Sequence, residues 1–387
     1  MEVVTGRSMR RIVFIVNVDW FFVSHRLPIA IKAMEEGYEV HLLCATTDKT
    51  KCLEDIGLTV HPFMFTRSGK NIFKELGSIF SLYRKVRQIK PELIHLVTIK
   101  PVLYGGIVAR LSKVPAVVSA ISGLGFLFVK RQGLVHSFIL NVVLFMYRLA
   151  MGHPNQKIIF QNSSDVEALV EAGGVSKDKV EMIRGSGVNL NDYPVLPEPG
   201  GVPVVIMVSR LLKDKGVFEF VEAARILRSN GSHVHFKLVG EADSGNPESV
   251  TAEQVESWQQ ERAVECLGFR SDIARLFSQA HIVVLPSYRE GLPKVLIEAA
   301  ACGRAVITTD VPGCRDAIES EVTGKMVPAR DAEALAGAIE SLIEDVQLRQ
   351  KMGRAGRVLA EREFRIEKVI SRHLDIYHGL ERAVHVQ

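Results

Sequence analysis

The feature that most constrains this chain is an alternation of short, continuously apolar segments with longer segments of helical periodicity. Such apolar runs lie at 11–17, 38–43, 93–96, 115–119 and 157–161 in the first half, and at 203–208, 234–240, 263–268, 281–285 and 305–309 in the second. A strand with one solvated face alternates apolar and polar residues, whereas a strand covered on both faces is apolar throughout. Continuous runs separated by helices therefore predict βαβ units and parallel sheets.

Length and a segment rich in proline and glycine divide the chain in two. The chain has 387 residues, more than a single hydrophobic core usually holds. The stretch Y-P-V-L-P-E-P-G-G-V-P at 193–203 separates the two series of strands and is typical of an interdomain linker. We predict two doubly wound, Rossmann-like α/β domains that face a cleft, residues 1–195 and residues 200–365.

The composition, with 47% hydrophobic and 24% charged residues, is that of a soluble globular protein. The 5 cysteines show no C-x-x-C spacing, and an odd number fits free thiols in a reducing compartment better than a disulfide framework. The first residues lead into an apolar strand without the apolar region and cleavage site of a signal peptide. We therefore expect a cytoplasmic location.

Charge is unevenly distributed along the chain, whose formal net charge is +4. Residues 1–195 hold 24 Lys and Arg against 16 Asp and Glu, a balance of +8, and residues 196–387 hold 24 against 28, a balance of −4. No acidic residue lies between Glu92 and Asp165. The first half is therefore expected to meet an anionic partner, which leaves a nucleic acid, a membrane surface and a phosphorylated substrate as candidates.

The stretch S-Y-R-E-G-L-P-K-V-L-I-E at 287–298 places two carboxylates where a buried strand ends. Ligands of open parallel sheets bind at the carboxyl ends of strands, and a helix that begins near Lys294 would offer free N–H groups to an anion. Glu290 and Glu298 would flank that anion and accept hydrogen bonds from hydroxyl groups, as a ligand with a ribose, a diphosphate and a sugar requires. Glutamates near a helix start also suit the helix dipole, so the spacing alone leaves a capping role open.

The motif that begins with this stretch continues to residue 318, where it ends in V-P-G-C-R-D-A-I. Three further motifs precede it in the chain. They are M-V-S-R-L-L-K-D-K-G at 207–216, L-V-G-E at 238–241 and L-G-F-R-S-D-I at 267–273. In this order the four motifs closely resemble those of the retaining GT-B glycosyltransferases of glycosyltransferase family 4, over most of residues 200–330. Cys314 stands where the family usually has the second glycine of P-G-G.

The resemblance implies a GT-B fold and a role for each motif. Arg210 and Lys215 are expected to hold the donor diphosphate, Glu290 to contact hydroxyls of the donor sugar, and Glu298 to hold the ribose. The first three of these are the candidate catalytic residues. The other candidates for donor binding are Gly125, Glu241, Phe269, Arg270, Gly291, Leu292, Pro293, Lys294 and Val295.

Two further expectations follow from this resemblance. Two cations and a helix N-terminus would stabilise the departing nucleoside diphosphate, and no D-x-D carboxylate pair is present to bind a metal. We therefore expect neither a metal nor another cofactor. The C-terminal helix, 366–387, is expected to pack back on the first domain.

Three strings in the first half are W-F-F-V-S-H-R-L-P (20–28), H-L-V-T-I-K-P-V-L-Y-G-G (95–106) and S-A-I-S-G-L-G-F-L-F (119–128). They resemble a narrower group in the same family, which builds on polyprenyl-diphosphate-linked sugars in bacterial glycan pathways. Cations that follow strands could meet an acceptor diphosphate, and the S-G-L-G turn lets the backbone approach phosphates or sugar closely. The candidates for acceptor binding are His25, Arg26, Lys100, Ser122 and Gly123.

One departure limits what the resemblance carries over. Many members of the family have a histidine after the strand that matches 115–119, where this chain has Ile121 or Ser122. The role of that histidine is therefore not carried over to this chain.

Residues 134–151 form an 18-residue run that is long enough for a transmembrane helix. Its polar residues Ser137, Asn141 and Arg148 would share one narrow face. A helix buried beside the sheet and a helix whose apolar face contacts lipid both fit this pattern. We expect lipid contact, because 66–90 holds seven Lys and Arg against one Glu, and basic residues near an anionic leaflet add on the order of 1 kcal/mol each. The expected location is peripheral, on the inner face of the cell membrane.

These observations predict a retaining, metal-independent glycosyltransferase that uses UDP-N-acetylhexosamine or UDP-hexose as donor. Its expected acceptor is a polyprenyl-diphosphate-linked saccharide in bacterial surface glycan or protein glycan synthesis. The alternative is a GDP-mannose-dependent mannosyltransferase that acts on another lipid or glycan acceptor.

Two other classes of protein are disfavoured. An oxidoreductase needs a G-x-G-x-x-G turn after the first strand, where N-V-D-W-F-F-V-S-H-R contains no glycine. No basic motif interleaved with aromatic residues suggests a nucleic-acid partner.

Overall fold

The computed structural model describes residues 10–65, 72–124, 134–243 and 245–386, and the chain divides into two compact units. Unit 1 is Met1–Ser186 with Val369–Gln387, and unit 2 is Gly187–Lys368. The segment expected to link the domains, 193–203, lies inside unit 2. Backbone hydrogen bonds explain this, because Val188 N donates to Phe364 O at 2.8 Å and Val188 O accepts from Ile366 N at 3.0 Å.

Unit 1 contains a parallel sheet of seven strands in the order β3-β2-β1-β4-β5-β6-β7. The strands are β1 (Arg10–Val18), β2 (Tyr38–Ala45), β3 (Thr59–Pro62), β4 (Leu93–Val97), β5 (Ala116–Ile121), β6 (Gln156–Phe160) and β7 (Val180–Met182). Every residue of β4 and β5 is buried, as the continuous apolar runs predicted. The edge strands β3 and β7 were not predicted, because short and partly exposed segments give no continuous apolar signal.

Unit 2 contains a parallel sheet of six strands in the order β10-β9-β8-β11-β12-β13. The strands are β8 (Val204–Val208), β9 (His235–Val239), β10 (Glu265–Cys266), β11 (Ile282–Leu285), β12 (Ala305–Thr309) and β13 (Gly324–Val327). Of the run predicted at 263–268, only two residues pair as a strand. Both sheets reverse their strand order at a central strand, so the prediction of doubly wound parallel sheets is confirmed.

Helices cover both faces of each sheet. Those of unit 1 are α1 (Asp19–His25), α2 (Leu27–Glu35), α3 (Thr50–Ile56), α4 (Ile72–Ile89), α5 (Ile99–Leu111), α6 (Leu134–Ala150) and α7 (Ser163–Glu171). Those of unit 2 are α8 (Val217–Ser229), α9 (Ala252–Gln260), α10 (Ile273–Ser278), α11 (Lys294–Ala301), α12 (Cys314–Ala317), α13 (Ala332–Glu344) and α14 (Val346–Leu359), and α15 (Ile366–Val386) ends the chain.

The C-terminal helix α15 packs on unit 1, although the chain that precedes it, Gly187–Lys368, forms unit 2. It shares a hydrophobic core with α1, α2 and α3 on one face of the sheet, while α4 to α7 cover the opposite face. Tyr377 of α15 places its hydroxyl 2.5 Å from Nδ1 of His95 in β4. Tyr38 donates to Glu381 at 2.6 Å. One buried and one partly buried polar contact therefore fix α15 to the sheet in addition to apolar packing.

Helix α6, the segment with the transmembrane-length run, is half packed and half exposed. Leu144, Tyr147 and Ala150 are buried in the core of unit 1. Among the side chains that the structure describes at 139–150, the exposed apolar ones are Ile139, Val142, Phe145 and Leu149. Within the described ranges, no helix combines the length and the apolar character that a membrane crossing requires.

Candidate functional site

The candidate donor-binding residues gather at one edge of the sheet in unit 2. Strands β10, β9, β8 and β11 are neighbours and run parallel, so their carboxyl ends share an edge. Arg210, Glu241 and Phe269 follow β8, β9 and β10, and Glu290 lies in the loop after β11. Arg210 and Glu241 are exposed, and the ring of Phe269 is 71% exposed. The topology thus brings together residues that are up to 80 positions apart (290 − 210).

An ion pair lies at the centre of this edge. Lys215, in a 3-10 turn before α8, donates from Nζ to Oε1 of Glu290. Ser287, which is wholly buried, donates from Oγ to the same oxygen at 2.8 Å. No described residue donates to Oε2 of Glu290. Within the described residues, one carboxylate oxygen is therefore held by two donors and the other by none.

Two glycines allow the three loops around Glu290 to meet. Gly216 has φ +74, and a Cβ there would lie 2.1 Å from the carbonyl oxygen of Pro286. Gly313 has φ +81, and its Cβ would lie 2.4 Å from the carbonyl oxygen of Glu290. Cys314, at the position of the family's second glycine, is buried, and burial raises the pKa of its thiol to about 12. The motifs K-D-K-G and P-G-C therefore carry glycine where the backbone packs too closely for a side chain.

The second glutamate lies on α11. Gly291, Leu292 and Pro293 form the turn that enters this helix, of which Lys294 and Val295 are the first residues. Glu298 is only 9% exposed, and its Oε1 accepts a hydrogen bond from the hydroxyl of Tyr193 at 2.7 Å.

Tyr193 was missed from the sequence because it stands in the segment assigned to the linker. The aromatic ring in a stretch that is otherwise rich in Pro and Gly is the signal that could have indicated a packed residue. Lys294 Nζ lies 3.4 Å from the same Oε1 of Glu298, and Oε2 has no donor in the described part of the chain. Among the described residues, Glu298 therefore resembles Glu290, because one carboxylate oxygen contacts other side chains and the second oxygen has no donor.

A polar layer beneath the ion pair was also missed from the sequence. Burial raises the pKa of the Asp214 carboxyl, with Lys215 opposing and Glu290 adding to the effect. Tyr288 donates from its backbone N to Asp214 O at 2.8 Å and from its hydroxyl to Glu219 at 2.6 Å. These contacts support the loop that carries Glu290. In the sequence, nothing indicates them except that Asp214 lies in the motif at 207–216 and Tyr288 in the stretch at 287–298.

Arg270 is engaged within its own loop. Its guanidinium forms a two-point ion pair with Asp272, at 2.8 Å and 2.6 Å. The neighbouring ring of Phe269 makes no ring contact among the described residues. Of these two candidates, Phe269 offers more unengaged surface to a ligand.

The candidate acceptor-binding residues follow three adjacent strands of unit 1. His25 ends α1 after β1, Lys100 lies in the first turn of α5 after β4, and Ser122 and Gly123 follow β5. Lys100 Nζ lies 3.1 Å from Oε1 of Glu75. The Ser122 hydroxyl is buried without a hydrogen-bond partner in the described ranges, and Gly123 has φ +115. The donor-binding candidate Gly125 lies outside the described residues.

Arg26 does not stand at the surface, contrary to our expectation. It is 2% exposed and lies near Tyr377 and His373 of α15, and burial lowers its pKa to about 10. Its Nη1 donates to the carbonyl oxygen of His25 at 2.9 Å, and its Nε has no partner in the described structure. An acceptor can reach almost none of this side chain, because α15 covers it. Arg26 instead supports the backbone of His25.

No metal-binding cluster was found where the structure describes the chain. In those ranges no group of three or more His, Cys, Asp or Glu side chains could hold an ion.

Comparisons with known proteins find one family match within each of the two units of the chain. A family described as "Glycosyl transferase 4-like" matches residues 11–162, and one described as "Glycosyl transferases group 1" matches residues 191–359. The chain is 31% identical over 358 residues to the N,N'-diacetylbacillosaminyl-diphospho-undecaprenol alpha-1,3-N-acetylgalactosaminyltransferase of Campylobacter jejuni, covering 89% of this chain and 92% of that protein. The chain belongs to the group 1, family 4-like glycosyltransferases.

This glycosyltransferase is also similar to a second relative whose name gives a diphosphoundecaprenol-linked sugar. It is 24% identical to the UDP-Gal:alpha-D-GlcNAc-diphosphoundecaprenol alpha-1,3-galactosyltransferase of Escherichia coli, covering 88% of this chain and 89% of that protein. The prediction of a family 4 glycosyltransferase is confirmed.

Solved structures share the fold of this glycosyltransferase. Anabaena HepE in complex with UDP matches with a TM-score of 0.75 at 19% identity, over 96% of this chain and 100% of that chain. A sucrose-phosphate synthase from Thermosynechococcus elongatus matches with a TM-score of 0.78 at 21% identity, over 97% and 100%. The predicted GT-B fold is likewise confirmed.

Proposed function

We propose that this glycosyltransferase moves a sugar from UDP-N-acetylhexosamine or UDP-hexose to a polyprenyl-diphosphate-linked saccharide, with retention of configuration and without a metal. The observation that carries the proposal is the edge of unit 2, where two cations accompany two carboxylates, each with one oxygen that has no donor among the described residues. The names of the Campylobacter jejuni and Escherichia coli relatives support a diphospho-undecaprenol acceptor, and the latter also supports a UDP-linked donor.

In this proposal the donor binds along the carboxyl edge of β8 to β11. Arg210 and Lys215, with the N–H groups at the start of α11, stabilise the charge that builds on the leaving diphosphate. Oε2 of Glu290 accepts a hydrogen bond from a hydroxyl of the donor sugar, and Oε2 of Glu298 accepts one from the ribose. Phe269 and Glu241 border the nucleoside, with Phe269 offering an exposed aromatic face.

The chemical step we propose is attack of the acceptor hydroxyl on the anomeric carbon from the same face as the one from which the leaving diphosphate departs. The acceptor hydroxyl forms its bond to the anomeric carbon as the bond from that carbon to the diphosphate oxygen breaks. The leaving phosphate oxygen takes the hydroxyl proton. No step requires a protein nucleophile, and Glu290 acts by holding the donor sugar.

In unit 1 we propose that the acceptor diphosphate meets Lys100 and the backbone at Ser122 and Gly123, with His25 nearby. The hydroxyl of Ser122, buried without a partner among the described residues, supports this, because such a group gains from a hydrogen-bonding ligand. Arg26 contributes by supporting His25 from below rather than by contact.

We further propose that the outer side of α4 and α6 rests on an anionic membrane surface, which a lipid-linked acceptor requires. Both helices flank α5 on the same face of the sheet. Three apolar residues spaced along one side of α4 are exposed: Phe73, Leu76 and Phe80. Basic residues Lys74, Arg84, Lys85 and Arg87 lie on the same helix, whose only acidic residue is Glu75. Apolar contact and attraction to anionic lipids act together at such a surface.

Donor and acceptor can be tested in one assay. The full chain is incubated with a panel of UDP- and GDP-sugars and a synthetic polyprenyl-diphosphate glycan, and nucleoside diphosphate release and lipid product are both followed. We expect product from one UDP-sugar that resists EDTA and is lost in Glu290→Ala. Glu222→Ala, which removes a carboxylate from an exposed ion pair with Arg225, is the matched control.

Each outcome of this assay has a distinct meaning. Product from GDP-mannose alone would replace the donor in the proposal. Nucleotide release without lipid product would exclude the acceptor tested, and loss of product with EDTA would exclude metal independence. NMR of the new anomeric centre decides whether configuration is retained.

Membrane contact has its own test. We expect the full chain to float with vesicles of equal phosphatidylglycerol and phosphatidylcholine but not with phosphatidylcholine alone. Phe73→Ser combined with Phe80→Ser should abolish flotation, whereas Val358→Ser, at an exposed apolar position of unit 2, should not. Equal flotation of both variants would exclude α4 as the contact surface.

A further inference from the structure

The hydroxyl of Tyr193 controls one oxygen of Glu298. It donates to Oε1 at 2.7 Å, across 105 positions of the chain. Burial, together with the adjacent Glu298 carboxylate, raises the pKa of Tyr193, so the hydroxyl remains protonated. Glu298 is thereby given a fixed donor on one side, and Lys294, at 3.4 Å, is the more distant second partner of that oxygen.

A second contact fixes the backbone of Tyr193. Arg357 Nη1 donates to Tyr193 O at 2.9 Å and to Ala301 O, at the end of α11, at 2.8 Å. The same guanidinium donates to Glu361 at 2.7 Å. One side chain therefore ties Tyr193 to the helix that carries Glu298, so the phenol and the carboxylate are held at a set distance.

We propose that Tyr193 is a positioning residue for the nucleoside: by engaging Oε1, it orients the Glu298 carboxylate so that Oε2 receives the ribose hydroxyls. This inference rests on the proposed role of Glu298 as the ribose ligand. A phenylalanine at 193 would leave Oε1 to Lys294, and the carboxylate would turn toward that cation. Because hydrogen bonds to charged groups are among the stronger ones, we expect about tenfold weaker nucleotide binding without the hydroxyl.

The test compares a nucleotide that has ribose hydroxyls with one that lacks them. Binding of UDP and of 2′,3′-dideoxy-UDP is measured by calorimetry for the wild-type chain, Tyr193→Phe, Glu298→Gln and Tyr38→Phe. Tyr38 is the matched control, because its hydroxyl also donates to a glutamate, Glu381 in unit 1, at 2.6 Å. We expect Tyr193→Phe and Glu298→Gln to weaken UDP binding while leaving dideoxy-UDP binding nearly unchanged, and Tyr38→Phe to alter neither.

The outcomes separate this inference from the proposed function. A wild-type chain that binds neither UDP nor dideoxy-UDP overturns the proposed UDP-sugar donor and the inference together. If Glu298→Gln loses the preference for UDP over dideoxy-UDP but Tyr193→Phe keeps it, the proposed function stands and the role of Tyr193 is excluded. Equal weakening of both nucleotides in Tyr193→Phe indicates a general structural role and also overturns the inference.

Discussion

Lys215 and Glu290, 75 positions apart in the sequence, share an ion pair in which Nζ donates to Oε1 of the carboxylate. The pair joins the turn before α8 to the loop after β11, so it fixes a cation and a carboxylate at the same edge of the sheet. Neither residue is fully exposed, which reduces screening of the interaction by solvent.

Lys215→Met should weaken binding of UDP by about tenfold or more, because the diphosphate loses a charge-assisted partner. Binding of uridine, which has no phosphate, should change little. Calorimetry with both ligands checks this split. Lys213→Met is the matched control, since Lys213 lies in the same turn but is exposed. Equal effects of the two substitutions would indicate a general loss of positive charge rather than a specific contact.

Gly216→Ala should destabilise unit 2 and reduce transferase activity. The alanine Cβ would lie 2.1 Å from Pro286 O, so the loop that carries Glu290 must move. Gly231→Ala isolates this effect, because Gly231 has a similar φ of +81 but nothing within 4 Å.

We expect Gly231→Ala to cost about 1–2 kcal/mol from backbone strain alone, and Gly216→Ala to cost clearly more. Urea unfolding followed by circular dichroism, together with the transfer assay, provides the comparison. Similar stability and activity in both variants would show that the loop tolerates displacement.

The attachment of α15 to unit 1 should weaken in acid. Burial, with the charge of nearby Arg26, lowers the pKa of His373 to about 3. Burial is also the main cause that lowers the pKa of His95 well below its usual value, and nearby His373 and Arg26 add to the effect. Both imidazoles are therefore neutral in the folded chain, whereas in the unfolded chain they protonate near pH 6.5. The contribution of the two neutral histidines to the free energy of unfolding is complete above about pH 6.5. It is lost as pH falls below that value, by up to about 1.4 kcal/mol per pH unit for each histidine.

Hydrogen exchange of the α15 amides at pH 7 and pH 5, corrected for intrinsic rates, measures this loss. His373→Gln should remove about half of the acid sensitivity, and His235→Gln, at an exposed position in unit 2, should remove none. An α15 protection factor that stays constant between the two pH values would contradict the prediction.

Arg349→Met should destabilise unit 2 by about 3–5 kcal/mol, because it leaves a largely buried carboxylate without its partner. Arg349 forms a two-point ion pair with Glu198, 2.9 Å for each contact, and its side chain is 4% exposed. Burial alone would raise the pKa of Glu198, but the Arg349 guanidinium, together with a hydrogen bond from Gln350 and the nearby His281, offsets this, so the pKa lies below its usual value.

The double variant Arg349→Met, Glu198→Leu should recover much of the stability, since no buried charge remains. Arg362→Met, which breaks an exposed pair with Glu319, should cost less than about 1 kcal/mol. Free energies of unfolding in urea measure all three. A double variant as unstable as Arg349→Met would locate the loss elsewhere, for example at Leu342 O, which accepts from Arg349 Nη1 at 2.7 Å.

The sequence by itself determined the class of fold and the edge of the sheet at which the candidate donor-binding residues gather. Continuous apolar runs predicted the central strands, because β4 and β5 are buried on both faces and need no alternation. The motifs around Arg210, Lys215 and Glu290 follow strands, and parallel strands place their carboxyl ends together. The positions of the strands depend on local pattern and on chain direction, whereas the choice of Arg210 and Lys215 depended in addition on the resemblance of their motif to a known family.

Only the tertiary structure decided which polar groups engage one another. Arg26 reads in the sequence as a cation after a strand, yet α15 covers it from more than 300 positions away in the chain (373 − 26 = 347). Tyr193 reads as part of a linker, yet its hydroxyl holds Glu298. Whether a charged or hydroxyl group faces solvent, a ligand or another side chain depends on what packs over it, and long-range packing leaves no periodic signal in the sequence.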